Sequence, residues 1–456
     1  MYRVLIALLI LSTQTYAQAT INLLGNLDLA GSLRSSGLWH YVHASGNEYA
    51  LLGYEDGIKI IDVTDGTNPI QVAALPGVLS LWHEVKVFGD YAYAVSEGVD
   101  PNNLLNGVQI LDLRYLPDSV PFKFYTGDGA ILNQLSRAHT ITAADSFLYI
   151  NGHNITALNR GVIIASIADP WNPVYIGADT LDYCHDSYVR GNFLYTSDIY
   201  IGNFKVFDIA DKSNPILLAT QETPNLFNHN TWLNDSSNVL FTTDERPGAP
   251  LAAYDISDLN SIKLLDTYLN NNTPNGEVHN VRVLNDYLIC PSYGSKVTIV
   301  DALRPHNLIE VASFNTGTWI CWDADPFLPN GKMIASDGNN DLFVFSVNYQ
   351  RACYLEGLIT DSATHLPING ASISITATTA STAANIFGNY ATGWPIAGLY
   401  DVTVSAVGYF SKTITNVSLN SGQLTTLNVE LVNSNIGVDD FSRAGLGIYP
   451  NPVRKY

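Results

Sequence analysis

Trp82-His83-Glu84-Val85-Lys86-Val87-Phe88-Gly89-Asp90-Tyr91-Ala92-Tyr93-Ala94-Val95-Ser96-Glu97 alternates in polarity, breaks at Gly89-Asp90 and resumes. Period-two alternation on both sides of a Gly-Asp turn is the signature of a β-hairpin. A third run follows at Gly107-Val108-Gln109-Ile110-Leu111-Asp112, and a fourth at residues 121–125. Four antiparallel strands of this length make one unit of a radial all-β fold.

The unit recurs. Histidines His40, His83, His139, His185, His229 and His279 each open a strand-like run, and Asp323 after Trp322 opens a seventh. The spacing is about 45 residues, which means a repeat architecture. The third strand returns as residues 57–62, 204–208, 252–255 and 296–301. The turn after it returns as Asp65-Gly66-Thr67-Asn68-Pro69, Asp169-Pro170-Trp171-Asn172-Pro173 and Asp211-Lys212-Ser213-Asn214-Pro215. Asp and Asn bond their own backbone in such turns, and Pro stands where no ladder donor is needed. The seventh unit lacks a fourth strand on its C-terminal side. Residues 21–27 have the pattern of residues 307–312, so they are expected to complete it. The fold class is therefore all-β: a seven-bladed β-propeller over residues 20–348, closed by the N-terminal strand.

Strand direction then collects polar groups at one end. The first strand of each blade starts at the end where the second finishes. The second-strand ends carry Glu55, Asp56, Glu97, Asp198, Asp244, Glu245 and Asp337, with His153 after the same turn in the third unit. Glu97, Asp198, Asp244, Glu245, Asp337 and Asp323 are the candidate ligand-binding rim. The histidines have two readings. As structure, a histidine in every blade clamps it to its neighbour. As chemistry, converging neutral imidazoles suit a transition metal such as zinc, copper or iron, with acids behind them. His83, His139, His185 and His229 are the metal candidates. Trp39, Trp82, Trp232, Trp319 and Trp322 lie close to the same positions, where packing between blades accounts for them. No catalytic residue is assigned: there is no nucleophile elbow, phosphate-binding glycine loop or HExxH segment.

A net charge of −20 disfavours nucleic acid and anionic lipid as partners. Residues 1–19 read as a secretory signal, with Arg3 ahead of an apolar run and Ala17-Gln18-Ala19 at its end. That run is too short to span a bilayer, and no later segment reads as transmembrane. Export permits disulfides among Cys184, Cys290, Cys321 and Cys353; three full pairings, or buried free thiols, are all compatible with the spacing. Residues 352–432 are rich in Thr, Ser and Ala, with alternating strands at 371–375 and 400–404, and read as a small β-sandwich serving as spacer or adhesive. Residues 433–456 read as a linker and a short terminal segment.

Three stretches resemble known families. Val108-Gln109-Ile110-Leu111-Asp112-Leu113 and Val297-Thr298-Ile299-Val300-Asp301-Ala302 resemble LVIVD repeats. Residues 82–93, with Ala138-His139-Thr140, Cys184-His185-Asp186 and Phe327-Leu328-Pro329-Asn330-Gly331, are similar to the choice-of-anchor B family. That resemblance covers roughly residues 35–348 and implies an exported propeller with no established reaction. Leu355-Glu356-Gly357-Leu358-Ile359-Thr360-Asp361 and Leu366-Pro367-Ile368-Asn369-Gly370-Ala371 resemble the carboxypeptidase regulatory-like domain, a non-catalytic sandwich. Ile448-Tyr449-Pro450-Asn451-Pro452-Val453 looks like the start of a type IX secretion sorting domain, which implies a Bacteroidetes-type bacterium and its secretion machinery as a partner.

The expectation is an exported binding protein, extracellular or on the outer cell surface. It would present one polar propeller face to an extracellular ligand or protein. If the sorting segment does not act, the expected location is the periplasm. The alternative is a metal-dependent enzyme that uses the histidine rim.

Overall fold

A computed structural model describes residues 18–434, apart from 30, 32, 103–105, 271–275, 295 and 318–319. Most of the signal reading (1–19), most of the sorting reading (433–456) and Trp319 lie outside the described residues. The described chain is all-β: it has two short 3-10 turns and no α-helix. It divides into two compact units, one spanning Thr20–Tyr349 and one beginning at Gln350.

The larger unit contains seven antiparallel sheets, and none closes on itself. The first runs Ser35–Val42, Glu48–Tyr54, Gly57–Asp62, Ile70–Pro76, each strand beside the next. The second starts at His83–Phe88, the third at Thr140–Ala144, the fourth at Asp186–Arg190 and the fifth at Asn228–Leu233. The sixth has a split first strand, Glu277–Val278 and Arg282–Leu284. The seventh takes Cys321–Asp325, Lys332–Asp337 and Asp341–Asn348, and its fourth strand is Thr20–Leu27, which pairs antiparallel with Asp341–Asn348. The first strands of sheets one to six touch in sequence. Sheet six then reaches Cys321–Asp325 through Tyr287–Tyr293, and Cys321–Asp325 touches Ser35–Val42 again.

Burial explains the sequence patterns. The second strands Glu48–Tyr54, Val239–Asp244 and Lys332–Asp337 are buried at every residue, whereas the fourth strand Ile216–Glu222 is mostly exposed. Strands covered on both faces carry short apolar runs, such as Val239-Leu240-Phe241 and Met333-Ile334-Ala335, in place of strict alternation. The Asp residues that end the third strands and open the following turns behave as turn chemistry requires. Asp62 accepts from Thr64 N, Asp208 from Ala210 N, Asp65 from Thr67 N and Asp211 from Ser213 N, all within 3.0 Å. All four cysteines are free and buried.

One placement differs from the sequence reading. His40 does not open its strand. It pairs with Ala50 near the hairpin end, whereas His83 opens its strand opposite Ser96. The shared Leu-Trp-His triplet at 38–40 and 81–83 thus sits at two different levels. The cause is a register shift between Ser35 and Leu38 that the triplet does not reveal.

The C-terminal unit packs two small sheets around one apolar core. One sheet pairs Cys353–Asp361 with Asn389–Trp394; the other orders Ser381–Ala383, Ser372–Ile375, Gly398–Ser405 and Lys412–Leu419. Leu355, Ile359, Ile373, Val402, Val404 and Leu431 are fully buried in that core.

Candidate functional site

Six aromatic rings from six sheets close a loop. Ring centroids lie 5.2 Å apart for Trp82 and His139, 3.9 Å for His139 and His185, and 4.3 Å for His185 and His229. The loop continues at 4.2 Å from His229 to His279, 4.9 Å from His279 to Trp322, and 6.1 Å from Trp322 back to Trp82. These rings line a cavity of about 90 Å³ together with Glu84, Lys86, Asp186, Glu245, Asn280 and Arg282.

Strand irregularities aim most of these rings. His139 and Thr140 both bond or pair with Asn151, and His185 and Asp186 both do so with Ser197. His229 falls in a register shift between Asn228 and Asn230, and Trp322 in one between Cys321 and Asp323. Two residues opposite one is a bulge, and a bulge re-aims a side chain out of the strand alternation. The second sheet has no such shift between His83 and Phe88. There Trp82, just ahead of the strand, takes the ring position. His83 turns away and packs so close to Gly77 that a Cβ on that glycine would lie 2.6 Å from His83 Nε2. The first sheet contributes no ring. A Cβ at Gly37 would lie 2.6 Å from Glu84 Oε2, so the bare glycine makes room for that carboxyl. Trp322 Nε1 donates to Glu84 at 3.1 Å.

The imidazole nitrogens divide their work. His185 Nδ1 lies 3.1 Å from the His229 carbonyl, and His279 Nδ1 2.6 Å from the Trp322 carbonyl. A carbonyl only accepts, so each Nδ1 carries the hydrogen, and Nε2 of the neutral ring keeps its lone pair. His139 Nδ1 contacts Glu97 at 3.0 Å. The His279 carbonyl acts on His229 in the same sense, although His229 Nδ1 falls outside strict hydrogen-bond geometry and is buried without a partner. Glu245 closes the arc: its oxygens lie 3.9 Å from His229 Nε2 and 3.8 Å from His279 Nε2, and it accepts from Tyr293 Oη at 3.0 Å. Burial, reinforced by neighbouring imidazoles, holds His185 and His229 well below the usual histidine range. Burial also lowers His279, against the pull of Glu245. Glu277 is pushed up to about 7, by burial first and Glu245 second, and burial raises Glu84.

Beyond the ring, Lys86, Asp186 and Arg282 line both this cavity and a second one of about 120 Å³. Arg282 is 3% exposed, stacks between Trp39 and Trp232, and pairs with fully buried Asp323 at 2.7 Å.

Of the rim acids read from sequence, Glu97 and Glu245 reach the ring. Asp198 pairs with Lys205. Asp244 accepts from Thr223 Oγ1 and Asn225 N, each at 2.6 Å, and Asp337 accepts from Thr316 Oγ1 at 2.6 Å. Asp323 is taken by Arg282. Of the four metal candidates, His139, His185 and His229 are neighbours, and His83 stands apart. His185, His229 and Glu245 each place a ligand atom within 4.8 Å of the other two. His40 stands elsewhere, 2.7 Å from Asp325. Sequence reasoning passed over Glu84, Arg282 and Tyr293, and left His279 out of the metal set. For His279 the signal was present, since it belongs to the same periodic series.

Residues 354–432 match the carboxypeptidase regulatory-like domain. No curated protein matches the chain. No helix among the described residues is long and apolar enough to cross a membrane.

Proposed function

We propose that the larger unit is a seven-bladed β-propeller and that the chain is an exported, non-enzymatic binding protein. Its ligand enters the mouth ringed by Trp82, His139, His185, His229, His279 and Trp322. The circuit of sheet contacts supports the propeller reading. The observation that carries the binding reading is a pair of buried polar atoms on the rings of the mouth with no protein partner: Trp82 Nε1 and His229 Nδ1. An unmet buried donor or acceptor costs about 1–3 kcal/mol, which a small ligand offering both kinds of group offsets. The C-terminal domain serves as spacer or adhesive, and type IX secretion machinery is the proposed export partner. The mass of the mature N-terminus, measured on protein recovered from the cell surface or medium, tests the export step. An intact Met1 there would overturn it.

Binding is read through Trp82 and Trp322. Small sugars, amino acids, short peptides and divalent cations are titrated against tryptophan emission. At least one is expected to give a saturable change that Trp82→Phe or Trp322→Phe removes. A panel with no such member would overturn the binding reading. The cluster of His185, His229 and Glu245 favours a second reading, a metal-dependent enzyme. That reading requires a metal-stimulated hydrolytic or oxidative activity that Glu245→Gln abolishes.

A further inference from the structure

We infer that the mouth holds one divalent first-row transition metal ion on Nε2 of His185, Nε2 of His229 and a carboxylate oxygen of Glu245. This deepens the binding reading above and rests on the mouth being the place where a ligand sits. The three donors come from two sheets and already lie within 4.8 Å of one another. A tetrahedral ion with bonds of about 2.0–2.2 Å sets its donors about 3.4 Å apart, so they need close by no more than about 1.4 Å.

Orientation is the stronger argument. An imidazole binds metal well when its other nitrogen donates to a fixed acceptor, because that fixes both the tautomer and the ring plane. His185 has this arrangement through the His229 carbonyl at 3.1 Å. The carboxylate is held likewise, by the Tyr293 hydroxyl at 3.0 Å. His229 is 6% exposed, and its Nε2 faces the Glu245 carboxylate at 3.9 Å. Blade-to-blade clamping explains the Nδ1 contact of His185 but assigns nothing to its Nε2. A cation explains the second nitrogen without displacing the first.

The donor set selects the kind of ion. Two imidazoles and one carboxylate suit zinc, cobalt or ferrous iron. Magnesium and calcium prefer all-oxygen sites. Three protein ligands leave a fourth position open toward the cavity of about 90 Å³, large enough for a water or the end of a ligand. His279, with Nε2 3.8 Å from Glu245, stands beside that position.

The test uses the full chain, untagged and stripped by chelator, titrated with cobalt(II) and then zinc. The expected result is one cobalt per chain, with the visible absorption of a four- or five-coordinate ion, displaced by one zinc. Two substitutions separate chemistry from architecture. His185→Asn keeps a side-chain N–H near the Nδ1 position but has no atom at Nε2. Glu245→Gln keeps an acceptor for Tyr293 but loses the charge. Each is expected to fold with an unchanged circular dichroism spectrum and to weaken cobalt binding by about tenfold or more. His365→Gln, on the exposed surface of the other unit, should leave binding unchanged. Absence of a saturable one-to-one cobalt spectrum would overturn the inference, as would a spectrum that persists in the folded double variant of His185→Asn and Glu245→Gln. If cobalt fails while an organic probe still changes Trp82 emission, the metal inference falls and the binding reading stands. If both fail, both fall.

Discussion

The two units bury different things with the same strand alternation. The core of the C-terminal unit is made of side chains such as Leu355, Ile373, Val404 and Leu431, and Asp361 is the one charged residue buried among the described residues of that unit. The centre of the larger unit buries Glu84, His185, His229, His279, Arg282 and Asp323. Burying charge and unmet polar atoms is costly, whereas burying aliphatic carbon is favourable. The first unit therefore has the interior that folding alone calls for. The second buries ionisable groups, several of them around one cavity, and that is the ground for proposing the cavity as its site.

Substitutions should divide along that line. The largest expected effect is Asp323→Ala, which strands the Arg282 guanidinium between Trp39 and Trp232. Breaking a buried pair costs about 3–5 kcal/mol. Calorimetry should show the transition of the larger unit falling sharply while that of the C-terminal unit stays in place. A single shared shift would mean the two do not unfold separately.

Next is a pH effect at His153, which is fully buried and pushed down to about 4 by desolvation, with Arg160 a smaller cause. The folded chain keeps this ring neutral, whereas the unfolded chain protonates it below about 6.5. The unfolded state then binds more protons, so this residue lowers stability as pH falls from about 6.5 to about 4. Full burial makes the loss about 3 kcal/mol at the acid end. Asp198 and Asp341, raised to about 6 by burial, act in the opposite sense over part of that range. The test is therefore the difference between wild type and His153→Asn, which keeps an acceptor for the Ile155 N–H. Denaturant melts at several pH values should show wild type losing ground to the variant on acidification. A constant difference would contradict the assignment.

The smallest effect lies in the apolar unit. Ile373→Val removes one buried methylene and should cost about 0.5–1.5 kcal/mol in that unit alone, with no change in cobalt binding.

Much of the arrangement of sheets was legible because its signals are local. Turn residues such as Asp65 and Asp211 bond to backbone two residues away, and Gly89-Asp90 breaks an alternation that reads directly as strands. The pairing of residues 20–27 with the last unit was legible by subtraction, from a strand missing at one end and unmatched at the other. The mouth was legible only in part. Periodicity found the histidines, but side-chain aim depends on bulges that composition does not encode. Hence His83 was grouped with His185, although a regular strand turns it away and puts Trp82 in the ring. Hence also His40 was aligned by its triplet, although register places it near the hairpin. Glu84 reaches the mouth because Gly37, 47 residues upstream, leaves it room, and no local pattern reveals such a vacancy.

In His185 and His279, Nδ1 is given to architecture and Nε2 is kept for a ligand. Long-range ¹H–¹⁵N correlation spectra of chelator-treated, ¹⁵N-histidine-labelled protein near neutral pH test it most directly, because the two ring nitrogens shift differently when protonated. His185 and His279 should both be neutral, with hydrogen on Nδ1 and a bare Nε2, and the His185 Nε2 signal should move when zinc is added. Hydrogen on Nε2, or a doubly protonated ring that ignores zinc, would contradict it.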